Sequence, residues 1–372
     1  MARLLLGLPG PVQRRLAGRP VRIDGQQLAT EAQLVLRLSG DRGPDAGVAL
    51  SRHRMRMTAR VAGGRRIEPV AARKLAIASQ AGTIAARLYR PAELAEPSPL
   101  LVFFHGGGWV QGDLDTHDNV CRFLALHGGA VVLAVDYRLA PEHPFPAAVN
   151  DALAAFRHAA THAEELGADP AALAVGGDSA GGNLATVVAR LAAGDPRPPV
   201  FQLLIYPGTD AVRVRRSRRL FGTGFLLTEE RIQWYLDQYL PDRADRTDPR
   251  ASPVYEPQPH RLPPTYLATA GFDPLRDEGE LLAARLAAAG VPVALRRFDD
   301  LYHGFANAVG IGRRGREAML EIASALRVGI ALGRRTGPGN LARATGLAEQ
   351  ATDVLGVQGG AEDVPVVHDA GE

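Results

Sequence analysis

The 372-residue chain predicts an α/β fold, with a mainly parallel central sheet flanked by helices. Three observations carry that expectation. Short apolar runs bounded by turn residues recur at Leu100–Phe104, Ala130–Val135, Leu173–Val175, Gln202–Tyr206, Thr265–Ala270 and Val291–Phe298. Runs of this kind mark strands buried on both faces. Helical stretches alternate with them at Ala147–Leu166, Ala180–Ala193, Glu278–Ala289 and Arg316–Leu332. Finally, glycine-rich or chemically loaded turns follow several of the strands, where parallel sheets carry their reactive groups.

Texture divides the chain into three. Residues 1–75 mix short helical patterns with Arg and Gly and lack a clear strand run; residues 76–333 hold the strand–helix alternation. Residues 334–372 are rich in Gly and Ala with few large apolars, which predicts a disordered tail. A hydrophobic content of 46% supports one large core. The net charge is only +3, with acidic residues nearly matching basic ones, so an electrostatic nucleic-acid binder is excluded. Cys121 is the only cysteine, so neither an intramolecular disulfide nor a Cys-based zinc site can form. The run Leu4-Leu5-Leu6 is broken by Gly7, Pro9 and Gly10, too short for a signal peptide. No stretch approaches the roughly 18 apolar residues of a membrane span. These features predict a cytoplasmic protein.

The sharpest motif is Gly177-Asp178-Ser179-Ala180-Gly181, placed between the strand at Leu173–Val175 and the helix beginning at Ala180. G-x-S-x-G in that setting is a strand-to-helix turn that lifts a nucleophilic serine clear of the sheet, as in the α/β-hydrolase fold. Small flanking residues let the backbone turn tightly, and the helix N-terminus adds donors and partial positive charge. His105-Gly106-Gly107-Gly108-Trp109 directly follows the strand at Leu100–Phe104. Glycines leave backbone N–H groups open to a developing oxyanion, and the expected donors are those of Gly106, Gly107 and Ala180.

A serine nucleophile needs a base, and the base needs an acid to orient it. His303, in Leu301-Tyr302-His303-Gly304-Phe305, follows the last strand-like run, and Asp273 ends the run Thr265–Ala270. The order Ser179, Asp273, His303 is that of the α/β-hydrolase fold. Asp277 is the rival acid, placed instead as the cap of the next helix because Asp before Glu and an apolar stretch is a start signal.

Together these segments resemble the hormone-sensitive-lipase-like family of microbial carboxylesterases. The resemblance rests on His105–Trp109, Asp136-Tyr137-Arg138-Leu139-Ala140-Pro141-Glu142, Gly176–Asn183, Ser252-Pro253, Asp273–Gly279 and His303-Gly304-Phe305, in the family's order across residues 75–332. It implies a serine carboxylesterase that hydrolyses short- to medium-chain acyl esters through an acyl-enzyme, with no cofactor and no metal. By this resemblance Ser179, Asp273 and His303 are the triad and Gly106 and Gly107 the oxyanion glycines. Asp136, Arg138 and Glu142 would be structural, and His105 would orient the glycine loop. The N-terminal segment and an insertion near residues 210–246 would form a helical cap, and a homodimer is compatible with the family. Two other functions fit the same residues: a deacetylase or amidase of a small metabolite, and a ligand-binding module on a hydrolase scaffold.

Other features are discounted. Gly310-Ile311-Gly312-Arg313-Arg314-Gly315 spells a dinucleotide motif without a βαβ unit after it. His117, Cys121 and His127 lack metal-ligand spacing and read as helix residues. The run Arg213–Arg219 reads as a solvated face. Phe221, Phe225, Leu226, Trp234 and Tyr235 either line an acyl pocket or pack a cap.

Overall fold

A computed structural model describes residues 6–40 and 47–335, so the predicted disordered tail lies almost wholly outside the described residues. Helices α1 (Gly10–Ala17), α2 (Thr30–Ser39) and α3 (Val48–Gly63) come first, with a two-residue ladder of β1 (Arg22–Ile23) on β2 (Gln26–Gln27). An eight-stranded sheet follows, in the spatial order β10-β9-β8-β7-β5-β6-β4-β3. Its strands are β3 (Val70–Ser79), β4 (Gly82–Pro91), β5 (Ser98–Phe104), β6 (Val131–Asp136), β7 (Ala168–Asp178), β8 (Phe201–Ile205), β9 (Thr265–Phe272) and β10 (Val293–Tyr302). From β10 to β6 every pairing is parallel; β4 runs antiparallel to β6, and β3 to β4.

Helices α4 (Asp118–Gly128), α5 (Ala147–Thr161), α6 (Ala180–Leu191), α7 (Arg216–Phe221), α8 (Glu229–Tyr239), α9 (Arg276–Ala288) and α10 (Arg314–Arg335) complete the fold. Strand periodicity sorts the core into two layers. Leu100, Val102 and Phe104 of β5 pack with α5, α6 and α9, whereas Leu101 and Phe103 pack with α4 and α10. Each such side chain, fully removed from water, contributes about 1.5–3 kcal/mol. Covering both faces is what leaves β5, β6 and β8 buried along almost their whole length and mostly apolar, and those are the strands the sequence shows most plainly.

The hairpin β3–β4 departs from expectation: the segment up to residue 75, which shows no strand pattern, ends inside β3. As the sheet's edge, β3 buries only Val70 and Ile77, so Arg73 and Lys74 can stand in solvent and no apolar run forms. Helix α4 carries Cys121 and His127, as their reading as helix residues expects, and His117 stands just before it as the cap. Among the described residues, no helix is long and apolar enough to cross a membrane.

Leu28 and Ala32 of the N-terminal segment join the core, whereas helix α3 is held by polar contacts. Helix α3 buries only Ser51, whose hydroxyl donates to Gln111 Oε1 at 2.7 Å. Arg52 donates to the carbonyls of Val110 (2.8 Å) and Ala140 (3.0 Å) and makes a two-pronged bond to Glu142 (2.8 and 2.7 Å). Arg138 grips buried Asp151 in the same bidentate way, both bonds at 2.8 Å. Removing the guanidinium with Arg52→Ala deletes bonds worth about 1–3 kcal/mol. Limited trypsinolysis within α3 should then accelerate about tenfold or more while the sheet core resists. An unchanged cleavage rate would show that α3 is anchored elsewhere.

Candidate active site

Strand β7 runs straight into the Gly177–Gly181 turn, and α6 begins at Ala180. Ser179 occupies φ 55° and ψ −119°, a region that L residues rarely adopt. The turn is so tight that a Cβ on Gly177 would overlap the Gly181 backbone, and one on Gly181 the Phe104 carbonyl. Ser179 N–H donates to Ile205 O at 2.9 Å, which ties the strained turn to the end of β8.

Two further strand ends deliver the partners. His303 follows β10 and Asp273 follows β9. His303 Nε2 lies 3.0 Å from Ser179 Oγ, and Nδ1 lies 2.8 Å from Asp273 Oδ2. Asp273 is 0% exposed, and its second oxygen accepts Leu275 N–H at 2.7 Å, so the carboxylate can turn only one edge to the imidazole. Tyr206, also at positive φ, sets its ring 4.6 Å from that of His303. The arrangement brings a hydroxyl, an imidazole and an oriented carboxylate into one chain of contacts.

The glycine loop differs from expectation at one position. Gly106 N–H is turned away from the serine and donates to Asp178 Oδ1 at 2.9 Å, so it is already committed. Gly107 (φ 125°) and Gly108 (φ 61°) reverse the backbone, and Gly108 forms the cavity wall together with Ser179 and Ala180. Positive φ at both glycines permits that reversal. The Tyr235 ring fills the place a Gly108 side chain would occupy.

Asp178 is the functional residue the sequence concealed. It is 2% exposed, accepts Gly106 N–H, and lies 3.2 Å from His117 Nε2. Burial alone would raise its pKa, but His117, the Gly106 N–H and His105 outweigh this and hold it below the ordinary value. His105 stacks on Tyr137 at 4.3 Å, and its ring contacts the Gly106 carbonyl at 2.9 Å. Burial, then the nearby His117, pushes the His105 pKa down to about 4, so it stands neutral behind the loop. A buried acid on an otherwise apolar strand is the only sequence signal for this network; its partner is 72 residues away.

Other expectations also change. Asp277 is not the helix cap: Leu275 takes that position, and Asp277 sits in the first turn, where Oδ2 accepts Ser217 N–H at 2.7 Å. The run Arg213–Arg219 is solvated in part, with Arg213, Arg216 and Arg219 exposed, but several of its charges are paired. Arg216 pairs with Asp24 at 2.7 Å, Arg215 with Asp210, and buried Arg218 makes a bidentate bond to Glu229. The aromatic residues of this region separate cleanly. Phe221 and Phe225 pack with Phe272 in the core, Leu226 is exposed, and Tyr235 lines the cavity. That cavity, of about 50 Å³, is bounded by Ser179, Gly108 and Trp109 on one side and by Leu227, Ile232 and Leu236 on the other.

Replacing Asp178 with Ala would leave Gly106 N–H without a partner inside the core, at a cost of about 1–3 kcal/mol. Because its folded pKa lies below 3.8, the Asp178 contribution is complete above that pH and fades as pH falls through the folded value. Denaturation at pH 7 should show the loss, and the gap between the proteins should close on acidification. A gap of under about 0.5 kcal/mol at pH 7 would mean that the loop is anchored by other contacts.

Comparison with known proteins agrees with the architecture. The profile of a family described as alpha/beta hydrolase fold matches residues 101–307. The chain is 48% identical to the carboxylic ester hydrolase LipN of Mycobacterium tuberculosis over 338 residues, covering 87% of this chain and 89% of LipN. It is 39% identical to an ethyl acetate hydrolase of Pseudomonas putida, covering 71% of this chain and 85% of that protein. Among solved structures it superposes on EstE1, a thermostable carboxylesterase from a metagenomic library, with a TM-score of 0.74. Identity there is 40%, over 77% of this chain and 98% of EstE1. A matching profile over more than half the chain, close identity over most of it and a shared fold lead to one conclusion: the chain belongs to the hormone-sensitive-lipase-like family of α/β-hydrolase carboxylesterases.

Proposed function

We propose that the chain hydrolyses esters of short- to medium-chain acids through an acyl-enzyme on Ser179. The observation that carries this is the unbroken contact chain Ser179 Oγ, His303, Asp273, at 3.0 and 2.8 Å. Family membership makes the chain a carboxylic ester hydrolase, and the contact chain supplies the means.

In the proposed cycle His303 Nε2 accepts the Ser179 proton as Oγ attacks the ester carbonyl, and Asp273 stabilises the imidazolium. The oxyanion is received by the N–H groups of Gly107, Gly108 and Ala180, since Gly106 N–H is committed to Asp178. His303 then returns the proton to the departing alcohol oxygen. Water, deprotonated by His303, attacks the acyl carbonyl and frees the acid and Ser179.

The size of the cavity supports the short end of that acyl range. A 150 Å³ apolar cavity holds benzene, and the space beside Ser179 is about 50 Å³, which suits a short acyl group. The N-terminal helices and the 210–246 segment act as the cap: Leu227, Ile232, Tyr235 and Leu236 close the cavity from above, and α3 braces the glycine loop through Gln111.

A panel of nitrophenyl esters of rising acyl length tests both parts. Turnover should peak between acetate and hexanoate and fall steeply beyond. Ser179→Ala, folded as wild type, should lose at least about 10⁴-fold in kcat. Comparable turnover in that variant would sink the assignment, and a peak at long chains would sink the length limit.

A further inference from the structure

Helix α3 turns apolar side chains toward solvent. Its protein-facing side holds Ser51, Arg52, Met55, Ala59 and Ala62, and of these only Ser51 is buried. On the opposite side Leu50, Met57 and Val61 stand 37%, 48% and 49% exposed. A surface helix normally keeps its large apolar side chains for the core and gives water its polar ones. At helical spacing, positions 50, 54, 57 and 61 fall within about 60° of one another and span about 17 Å. Leu50, Met57 and Val61 therefore form one stripe, with Arg54 set among them.

The charge around this stripe has one sign. Between Val48 and Arg66 the chain holds six arginines and no acidic residue. Arg52, Arg56 and Arg66 pair with Glu142, Asp113 and Glu68. Arg54 and Arg60 are exposed on the helix, and exposed Arg65 follows its C-terminal end.

The size and the charge of the face decide what covers it. Three half-exposed side chains offer at most a few hundred Å² of apolar surface, whereas a stable protein interface takes about 800 Å² from each partner. A second copy seated on the stripe would also set this acid-free, arginine-rich helix against itself. A lipid surface demands neither a large patch nor a matching shape. A helix lying in its plane gains from each apolar side chain it buries and from each basic one beside anionic headgroups. Long arginine stems let the charge reach the headgroups while their neighbours sink below.

We propose that the outer face of α3 docks on an anionic lipid surface, with Leu50, Met57 and Val61 entering the acyl boundary and Arg54, Arg60 and Arg65 meeting the headgroups. The helix lies on the surface and does not cross it, in keeping with the lack of a membrane-spanning helix among the described residues. The proposal goes beyond the Ser179 reaction and does not depend on it.

The test is flotation of the full chain with vesicles of phosphatidylcholine, either alone or with about 30 mol% phosphatidylglycerol. At low salt the wild type should bind the anionic vesicles at least about tenfold more tightly than the neutral ones, and about 0.5 M salt should weaken that binding. The double change Arg60→Gln, Arg65→Gln should lose about tenfold or more in vesicle affinity. The triple change Leu50→Gln, Met57→Gln, Val61→Gln should lose at least about tenfold with every arginine still present. Glutamine is a good helix former, so both variants should keep the circular dichroism and melting temperature of the wild type. Binding by the triple variant equal to wild type would mean that basic charge elsewhere holds the vesicles, and it overturns the docking face. Equal wild-type affinity for the two vesicle types, or none for either, also overturns it. A wild type that leaves vesicles alone but sediments as a dimer, which the triple variant dissolves, would assign the stripe to a second copy and refute the lipid surface.

Discussion

The fold depends most on the contact between the end of β5 and the turn that carries Ser179. Gly181 lies against the Phe104 carbonyl, and Gly177 against Gly181, with no room for a Cβ at either position. That contact holds Ser179 at φ 55°. It also fixes where α6 starts, and the glycine loop leaves β5 at the same point. Strain of this kind, of the order of 1–3 kcal/mol per residue, persists only where surrounding structure over-determines it. Here the over-determination comes from two parallel neighbours, β5 and β8, and from α6, whose buried face is almost unbroken.

The second constraint is the charge hidden behind that turn. Asp178 sits one residue before Ser179, at the end of β7, and its oxygen holds Gly106 N–H. It is buried in the core, whereas Ser179 follows in the strained turn and lines the cavity. A buried carboxylate would be costly alone, but His117 and the Gly106 N–H meet one oxygen, and Asn307 approaches the other at 3.4 Å. One bond therefore sets the position of both the nucleophile turn and the loop opposite it.

The parts of this molecule legible in the sequence are those fixed by local chemistry. The six parallel strands β5 to β10, the Ser179 turn and the order of Ser179, Asp273 and His303 all follow from short motifs and apolar runs. The hairpin β3–β4 was not legible, because exposed residues such as Arg73, Lys74 and Ala85 interrupt the buried ones and no continuous apolar run forms. The choice among Gly106, Gly107 and Gly108 was not legible either. It depends on the φ reversal at Gly107 and on Asp178, 72 residues downstream. The role of Asp277 failed for a similar reason. Its carboxylate is taken by Ser217 from another segment, a partner 60 residues away that capping statistics do not contain. The exposure of much of the arginine run was legible, but its pairing was not. Asp24, Asp210 and Glu229 are scattered through the sequence and meet those arginines only in the fold.

The same argument explains how a segment outside the cavity can still shape it. Helix α3 contributes no residue to the cavity wall, yet Ser51 donates to Gln111, and Gln111 Nε2 donates to Tyr235 OH at 2.5 Å. The Tyr235 ring in turn lies over Gly108, so the glycine loop is clamped between Asp178 beneath and Tyr235 above. Gln111 N–H meanwhile donates to the Gly107 carbonyl at 3.0 Å, so one residue joins the N-terminal segment, the loop and α8. A change in α3 would therefore reach the reacting centre through the position of two glycines and one ring. The height of the cavity is set by this polar chain, and its floor by the strained turn. The shape of the cavity thus depends on two parts of the fold that stability alone would not require to meet.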